Sequence, residues 1–397
     1  MLRILSLLCL ASLLTEATSA AEPVKHVPLQ FKSMPTISGS VRWDWWQARS
    51  AHVPGKKPLL ITTMSETGKT TSHDFHDIYQ SVSRDEGKTW SKPTAIPSLK
   101  RFRQDDGFEI APGDLWPTFH ATSGKVLATG KTFNFQDGKT EIRLREKVSY
   151  TVMDPATAKW SDMKLLAMPG KDHAGFTITG ANAGCTQRVD LPGGDILLPV
   201  RYWRDPAKHN YTSIVVRCGF DGQTLTYKKH GSEHTITQGR GLYEPSLAVF
   251  QGKYFLTMRA NHSAFVTSGT DGIHFQPIRE WTFDDGKPLG SYNTQQHWVT
   301  IGSGLFLVYT RKGANNDHIM RHRAPLFIAQ VNPQTLQVIR ATERILITEN
   351  QATLGNSGIC RISDTESWVT CGEGLLRLGK RKGELNKVLF VKITAAR

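Results

Sequence analysis

The sequence lacks any long amphipathic helical pattern. Beyond its first twenty residues it also lacks an apolar run long enough to cross a bilayer, so no membrane-spanning helix is expected. It has no glycine-rich nucleotide loop, which leaves no basis for an organic cofactor. Its five cysteines do not fall at zinc spacings and no HExxH occurs, so no metal is expected either. His318 and His322 lie four apart, and read as incidental histidines of a loop. Acidic residues are in short supply: 35 Asp and Glu face 49 Lys and Arg, a net charge of +14. That excess favours polyanionic partners, and for an exported chain these are acidic glycans rather than nucleic acid. The basic run "LGKRKGELNK" is read as solvated surface.

What is present begins with a leader. "MLRILSLLCLASLLTEATSA" has an early Arg3, an apolar run from Ile4 to Leu14, and small residues Thr18 and Ala20 where a signal peptidase would act. Residues 1–20 are therefore expected to be a signal peptide, and residues 21–397 one secreted or periplasmic, monomeric domain without membrane attachment. Cys9 leaves with the leader. Of the remaining cysteines, Cys360 and Cys371 flank "RISDTESWVT", where either a bridge across a hairpin or two buried thiols is expected.

The organisation shows when the chain is compared with itself. Strand-like runs follow tight turns in "GKKPLLITTM", "SGKVLATG", "PGGDILLPV", "QGKYFLTMR", "GSGLFLVYTR" and "SDTESWVT". The turns fall near residues 55, 123, 192, 251, 302 and 363, about 62 residues apart. The stretch "SVSRDEGKTW" contains Ser83, Asp85, Gly87, Thr89 and Trp90 as S-x-D-x-G-x-T-W, with degenerate copies at 152–160, 218–225, 268–275 and 330–336. Aspartate bonds turn amides, glycine supplies a positive φ, and the aromatic packs back on the sheet. Each copy suits the hairpin between the third and fourth strands of a sheet, and Asp85 is read as structural. The pattern predicts an all-β fold: a six-bladed β-propeller of four-stranded antiparallel blades, with a segment before residue 50 closing the ring against the last blade.

Counting back about seven residues from each turn places the leading ends of the inner strands near Ala48, Trp116, Cys185, Glu244, Gln295 and Asn356. Polar residues cluster there, including Arg42, Asp44, Arg49, Asp114, His120, Gln187, Arg188, Gln296 and His297. Their recurrence on several blades suggests a wet cavity, since buried polar groups need partners.

The S-x-D-x-G-x-T-W stretch is a full Asp-box and resembles the sialidase (neuraminidase) superfamily. "NTQQHW", "RHRAPLFIAQVNPQTLQVIRATER" and "LGNSG" resemble a planctomycete-type bacterial branch of sialidase-like proteins. The resemblance covers nearly all of the mature chain and implies a hydrolase for terminal acidic or sulfated glycan residues. In "YEPSLAVFQGKYFLTMR" it implies that Glu244 supports the nucleophile and that Arg259 is one of three arginines gripping a carboxylate. Guanidinium forks pair with such anions bidentately and stay charged. Arg311 occupies the same second-strand end as Arg259 and is a further clamp candidate, with Arg321 and Arg323 as replacement or support. The family's R-I-P triplet is absent, which leaves Arg42 or Arg49 for that role. "TTSHDFHDIYQSV" offers Asp74, and second Asp77, as general acid. Gln296, His297 and His120 are assigned to orienting sugar hydroxyls. The family's nucleophile is a tyrosine of the last blade, but none of the nine tyrosines lies after Tyr309. Tyr292 or Tyr243, or Glu244 or Glu373 acting directly, stand in as candidates. Two other readings stay open: a polysaccharide lyase in which His297 and His120 become central, and a noncatalytic glycan-binding propeller.

Overall fold

The computed structural model describes residues 24–68, 75–136, 143–205, 207, 209–375, 381 and 383–396. The predicted leader and Asp74 lie outside these residues. Among the described residues the regular structure is strand, apart from short 3-10 turns.

Six antiparallel sheets follow one another as blades. Blade 1 comprises Trp43–Val53, Leu59–Gly68, Phe75–Ser83 and Thr94–Ala95. Blade 2 is built on Glu109–His120, Lys125–Phe135, Val148–Asp154 and Lys159–Trp160. In blade 3 the innermost strand is broken into Thr179–Asn182 and Val189–Asp190, both paired with Ile196–Asp205; Asn210–Phe220 and Leu225–His230 complete it. Blade 4 is Tyr243–Phe250, Lys253–Arg259, Ala264–Gly269 and Arg279–Glu280. Blade 5 is His297–Ile301, Gly304–Tyr309, Leu326–Asn332 and Gln337–Val338. Blade 6 takes Ser357–Arg361, Glu366–Gly372 and Lys387–Ala395 from the C-terminal end, and its outermost strand, Leu29–Ser38, from the N-terminal end. That last pairing closes the ring, as the sequence led us to expect.

Each predicted turn joins the first and second strands of its blade. Alternating apolar residues of these strands meet between blades, because each sheet can bury a face only against its neighbour. Ala51, Ile61 and Ile78 of blade 1, for example, pack with Val126 and Met153 of blade 2. Ile359 and Val391 of blade 6 pack with Val299 and Val308 of blade 5. Six such inter-blade clusters make up the core in place of one central one.

The Ser83–Trp90 turn joins the third and fourth strands of blade 1. Asp85 Oδ1 accepts from Thr89 N (2.9 Å) and Ser83 Oγ (2.8 Å), and Ser83 Oγ accepts from Gly87 N (2.8 Å). Thr89 Oγ1 also donates to Asp85 Oδ2 (2.7 Å), and this bond above all, with the others, holds the Asp85 carboxyl down at about 2. Trp90 stacks on Phe390 of blade 6 at 4.6 Å. Gly87 has φ +77°, and a Cβ there would lie 2.2 Å from the Trp368 ring of blade 6. The turn therefore packs blade 1 against the blade that closes the ring. Gly87→Ala combines left-handed strain with overpacking. It is expected to lower stability by about 3 kcal/mol in urea unfolding.

All four described cysteines are free and buried. Cys360 pairs in register with Trp368, and Cys371 with Ser357, so the two thiols are not opposite each other and no bridge spans the hairpin.

Candidate functional site

The inner strands share one irregularity. Gln47, Asp114, Cys185 and Glu244 occupy comparable places in blades 1 to 4 and all have positive φ (54°, 52°, 62° and 47°). Pairing registers shift around three of them: between Trp46 and Arg49, Gly113 and Trp116, and Tyr243 and Ser246. In blade 3, Cys185 sits where the inner strand is interrupted. A bulge re-aims the side chain of its extra residue. Each left-handed non-glycine residue costs about 1–3 kcal/mol, and such strain concentrates at functional sites. The four residues form one connected group. Asp114 N donates to Gln47 Oε1 (2.9 Å), Cys185 Sγ lies 2.8 Å from Asp114 Oδ1, and the Cys185 thiol feels the charges of Asp114, Arg49 and Glu244.

Glu244 lies at the centre of an arginine cluster. Arg259 Nη1 donates to its Oε2 at 2.5 Å, and Arg201 Nη1 lies 3.5 Å from its Oε1. Burial alone would push this carboxyl up, but Arg259 and Arg201, with a smaller part from Arg323, hold it down at about 2. Glu244 is therefore ionised at any ordinary working pH. Arg259 Nη2 also donates to Asn293 Oδ1 (2.6 Å), which accepts from Arg240 Nη2 (2.9 Å) and Tyr243 Oη (2.8 Å) as well. Arg240 Nη2 reaches Tyr243 Oη at 2.7 Å. Arg323 donates to Thr294 Oγ1 (3.2 Å) and Asn293 O (3.0 Å). Its guanidinium is pushed down to about 9, first by burial and then by Arg259 and Arg321. Arg201, Arg259 and Arg323 are buried, Arg240 is partly buried, and Arg321 is exposed. Two guanidiniums thus meet one carboxylate, and those of Arg323, Arg240 and Arg321 lie within electrostatic reach of it. Crowded like charges of this kind are relieved by an anion, and each fork can hold a carboxylate or sulfate bidentately.

A second layer supports the cluster. Arg201 Nε donates to Asn182 Oδ1 (3.1 Å), and Asn182 Nδ2 donates to Glu146, which holds Lys131 at 2.8 Å. Arg201 lies over the rings of Tyr211 (4.7 Å) and Tyr243 (5.8 Å), and Arg259 over that of Tyr243 (4.8 Å). Such contacts hold a cation in place without neutralising it.

Of the residues singled out in the sequence, Glu244, Arg259 and Arg323 come together here, and Arg321 stands beside them. Arg311 does not: it is committed to Glu343, with Nη2 to Oε1 at 2.6 Å and Nε to Oε2 at 2.8 Å. Arg42 is exposed in the bend before blade 1, where its amide donates to Ser40 Oγ. His120 sits at the opposite end of its strand, beside the hairpin turn. Its Nε2 meets Gly194 O (3.0 Å) and its Nδ1 meets Ser123 Oγ (2.8 Å), so it fastens blade 2 to blade 3. His297 is fully buried, with Nδ1 at 2.8 Å from Ser246 Oγ and Nε2 at 2.8 Å from Gln295 Oε1. Burial first, and Arg49 second, keep it neutral. Gln296 spends its amide on Thr257 and Ser291 inside blades 4 and 5. With both histidines committed in this way, neither is placed as a base for the lyase reading, which would then need a tyrosine.

The expected wet cavity is also partly a polar plug. Arg49 Nη2 donates to Gln295 Oε1 (2.8 Å), Gln295 Nε2 to Asn356 Oδ1 (2.9 Å), and Gln187 Nε2 to Trp298 O (3.0 Å). These bonds tie blades 1, 3, 5 and 6 across the axis. Asp77 Oδ1 accepts from Arg101 N (3.1 Å), and Glu373 is held by Arg381 and Asn350. Tyr243 Oη is occupied by the cluster, whereas Tyr292 is half-buried between His262 and His322.

Sequence reasoning missed Arg201, Arg240 and Asn293. Arg201 had a usable signal, because it follows the hairpin turn within the second strand of blade 3, Ile196–Asp205, much as Arg259 follows that of blade 4. Arg240 and Asn293 lie on connections between blades, where strand counting has no purchase.

No family model matches the chain, and no curated protein matches it in sequence. Solved structures do share its fold. A protein of unknown function from Dyadobacter fermentans superposes with a TM-score of 0.67 at 11% identity, over 93% of this chain and 99% of that one. Trypanosoma rangeli sialidase gives 0.61 at 15% identity, over 88% of this chain and 55% of its own. The NanB sialidase of Streptococcus pneumoniae gives 0.59 at 12% identity, over 92% and 70%. The chain thus spans about half the length of the trypanosomal enzyme. At these identities the likeness establishes the six-bladed propeller fold and nothing finer.

Proposed function

We propose that this protein is an exported glycoside hydrolase of the sialidase type that removes terminal acidic or sulfated sugars from glycans. The observation that carries the reading is the excess of guanidinium over carboxylate around Glu244. Five arginines and one ionised acid make a receptor for an anion, and the basic chain as a whole attracts acidic glycans. The propellers of similar shape include a sialidase solved in complex with sialic acid.

In this reading Arg201, Arg259 and Arg323 hold the anionic group, while the partly buried Arg240 and the exposed Arg321 extend the positive field toward solvent. Glu244 stays ionised, which suits it to stabilise positive charge developing at the anomeric carbon or to support a nucleophile. It cannot donate a proton at neutral pH. The proton for the leaving oxygen is assigned to Asp74, which lies outside the described residues.

The test is product analysis by mass spectrometry on sialosides, sulfated fucans and uronic-acid polymers, with wild type beside Glu244→Gln. A saturated anionic sugar should be released, and the variant should lower kcat/KM by about 10²–10⁴. Anionic sugars at about 100 times Kd should stabilise the wild type by about 2.7 kcal/mol in thermal unfolding. Stabilisation without any product would make this a binding propeller, unsaturated products a lyase, and neither effect would remove the anion-site reading.

A further inference from the structure

Blade 3 carries a second constellation that the arginine cluster does not use. His173 lies on the connection entering the blade, His230 ends its outermost strand, and Glu233 lies on the connection leaving it. His173 is remote in sequence from the other two, yet one donor atom from each of the three lies within 4.8 Å of the others. The two imidazoles stack nearly parallel, 4.0 Å apart at 13°, so the exposed His173 ring has to turn out of the stack for both in-plane lone pairs to meet one ion. We propose that His173, His230 and Glu233 bind a divalent transition-metal ion of the zinc class, bracing the two connections that flank blade 3.

The donor set is two nitrogens and one carboxylate oxygen, which suits zinc and its neighbours rather than calcium or magnesium. His230 Nε2 lies 3.4 Å from Glu233 Oε1. That is long for a hydrogen bond. It matches the ligand-to-ligand edge of a tetrahedral site, which for bonds of 2.0–2.1 Å is about 3.3 Å. The surroundings already orient the ligands. Tyr227 Oη lies 2.9 Å from His230 Nδ1, and by accepting the Nδ1 hydrogen it would leave Nε2 free to bind a metal. Glu233 Oε2 is held by Arg204 Nη2 at 2.9 Å, while Oε1 accepts the His173 amide at 2.6 Å and keeps a further lone pair. Arg204 is paired in turn with Asp172 at 3.0 Å, and Tyr202 Oη donates to Asp172 Oδ2 at 2.6 Å. Two carboxylates against one guanidinium leave this patch negative, in a chain that is otherwise strongly basic. A metal held by three protein ligands takes water in its remaining position.

The test uses the full chain with Zn2+ and Co2+ as probes, and does not depend on the glycan reading. Wild type should retain one equivalent of Zn2+ after dialysis, melt higher with Zn2+ than with a chelator, and show visible ligand-field absorption with Co2+. His173→Ala removes an exposed ring while its amide still reaches Glu233, so the fold is kept. Glu233→Gln keeps that amide's acceptor and removes the charge. Each should weaken Zn2+ by on the order of 100-fold and abolish the melting shift. Failure of wild type to retain Zn2+, or variants that retain it equally well, would overturn the proposal.

Discussion

Arg259→Met is expected to lower stability by about 3–5 kcal/mol and to abolish binding of anionic sugars. The guanidinium is buried, holds Glu244 at 2.5 Å, and donates to Asn293 at 2.6 Å. Its removal leaves an ionised carboxylate in a dry site, with Arg201 at 3.5 Å as its remaining close partner. Removing one partner of a buried pair costs about 3–5 kcal/mol, because the surviving charge has lost both water and its counterion. The double variant Arg259→Met with Glu244→Gln removes that stranded charge, and much of the lost stability should return while binding does not. Urea unfolding of the four proteins measures this coupling directly. A cost for Arg259→Met below about 1 kcal/mol, together with additive effects, would mean that the pair is solvated rather than desolvated.

Acid is expected to remove what Glu244 contributes, over a defined window. Its carboxyl titrates near its ordinary 4.5 in the unfolded chain and near 2 in the fold. Folding therefore favours the ionised form. The resulting stability is complete above 4.5 and is lost as pH falls toward 2. The shift corresponds to about 3 kcal/mol. Other carboxyls are also depressed, notably Asp271, at about 2 through its bonds with His274 despite opposing burial. The informative quantity is therefore the difference between wild type and Glu244→Gln. That difference should shrink by up to about 3 kcal/mol between pH 5 and pH 2, a range set by the same linkage. A difference that stays constant with pH would mean that Glu244 is not held ionised by its arginines.

Arg311 and Arg201 show how far strand counting reaches. Both follow the hairpin turn of their blade, Arg201 within the second strand Ile196–Asp205 and Arg311 just past the end of Gly304–Tyr309, so by position along the chain they resemble Arg259. Arg311 is neutralised by Glu343, a residue on the connection after the blade's outer strand, while Arg201 meets Glu244 of the next blade. Which carboxylate an arginine meets depends on how the connections fold back, and periodicity carries no information about that. His297 and Gln296 show the converse. Their recurrence at inner-strand ends was legible, but the same positions also serve to bond one blade to another across the axis. Only the partners distinguish a residue that faces substrate from one that faces Gln295 or Thr257.

The sequence by itself determined the propeller. Hairpin turns, alternating strands and the Ser83–Trp90 turn are local features, and local features repeated six times leave few ways to bury six sheets. It also carried Glu244, Arg259 and Arg323 into the candidate site. The tertiary structure alone decided that Gln47, Asp114, Cys185 and Glu244 turn inward on positive-φ bulges, since nothing in a non-glycine residue announces that conformation. It alone decided that five arginines from different blades and connections gather around one carboxylate that only Arg259 and Arg201 contact. It also brought His173 to His230 and Glu233. Charges separated by many residues along the chain influence one another only once folding has brought them within a few ångströms and removed the intervening water.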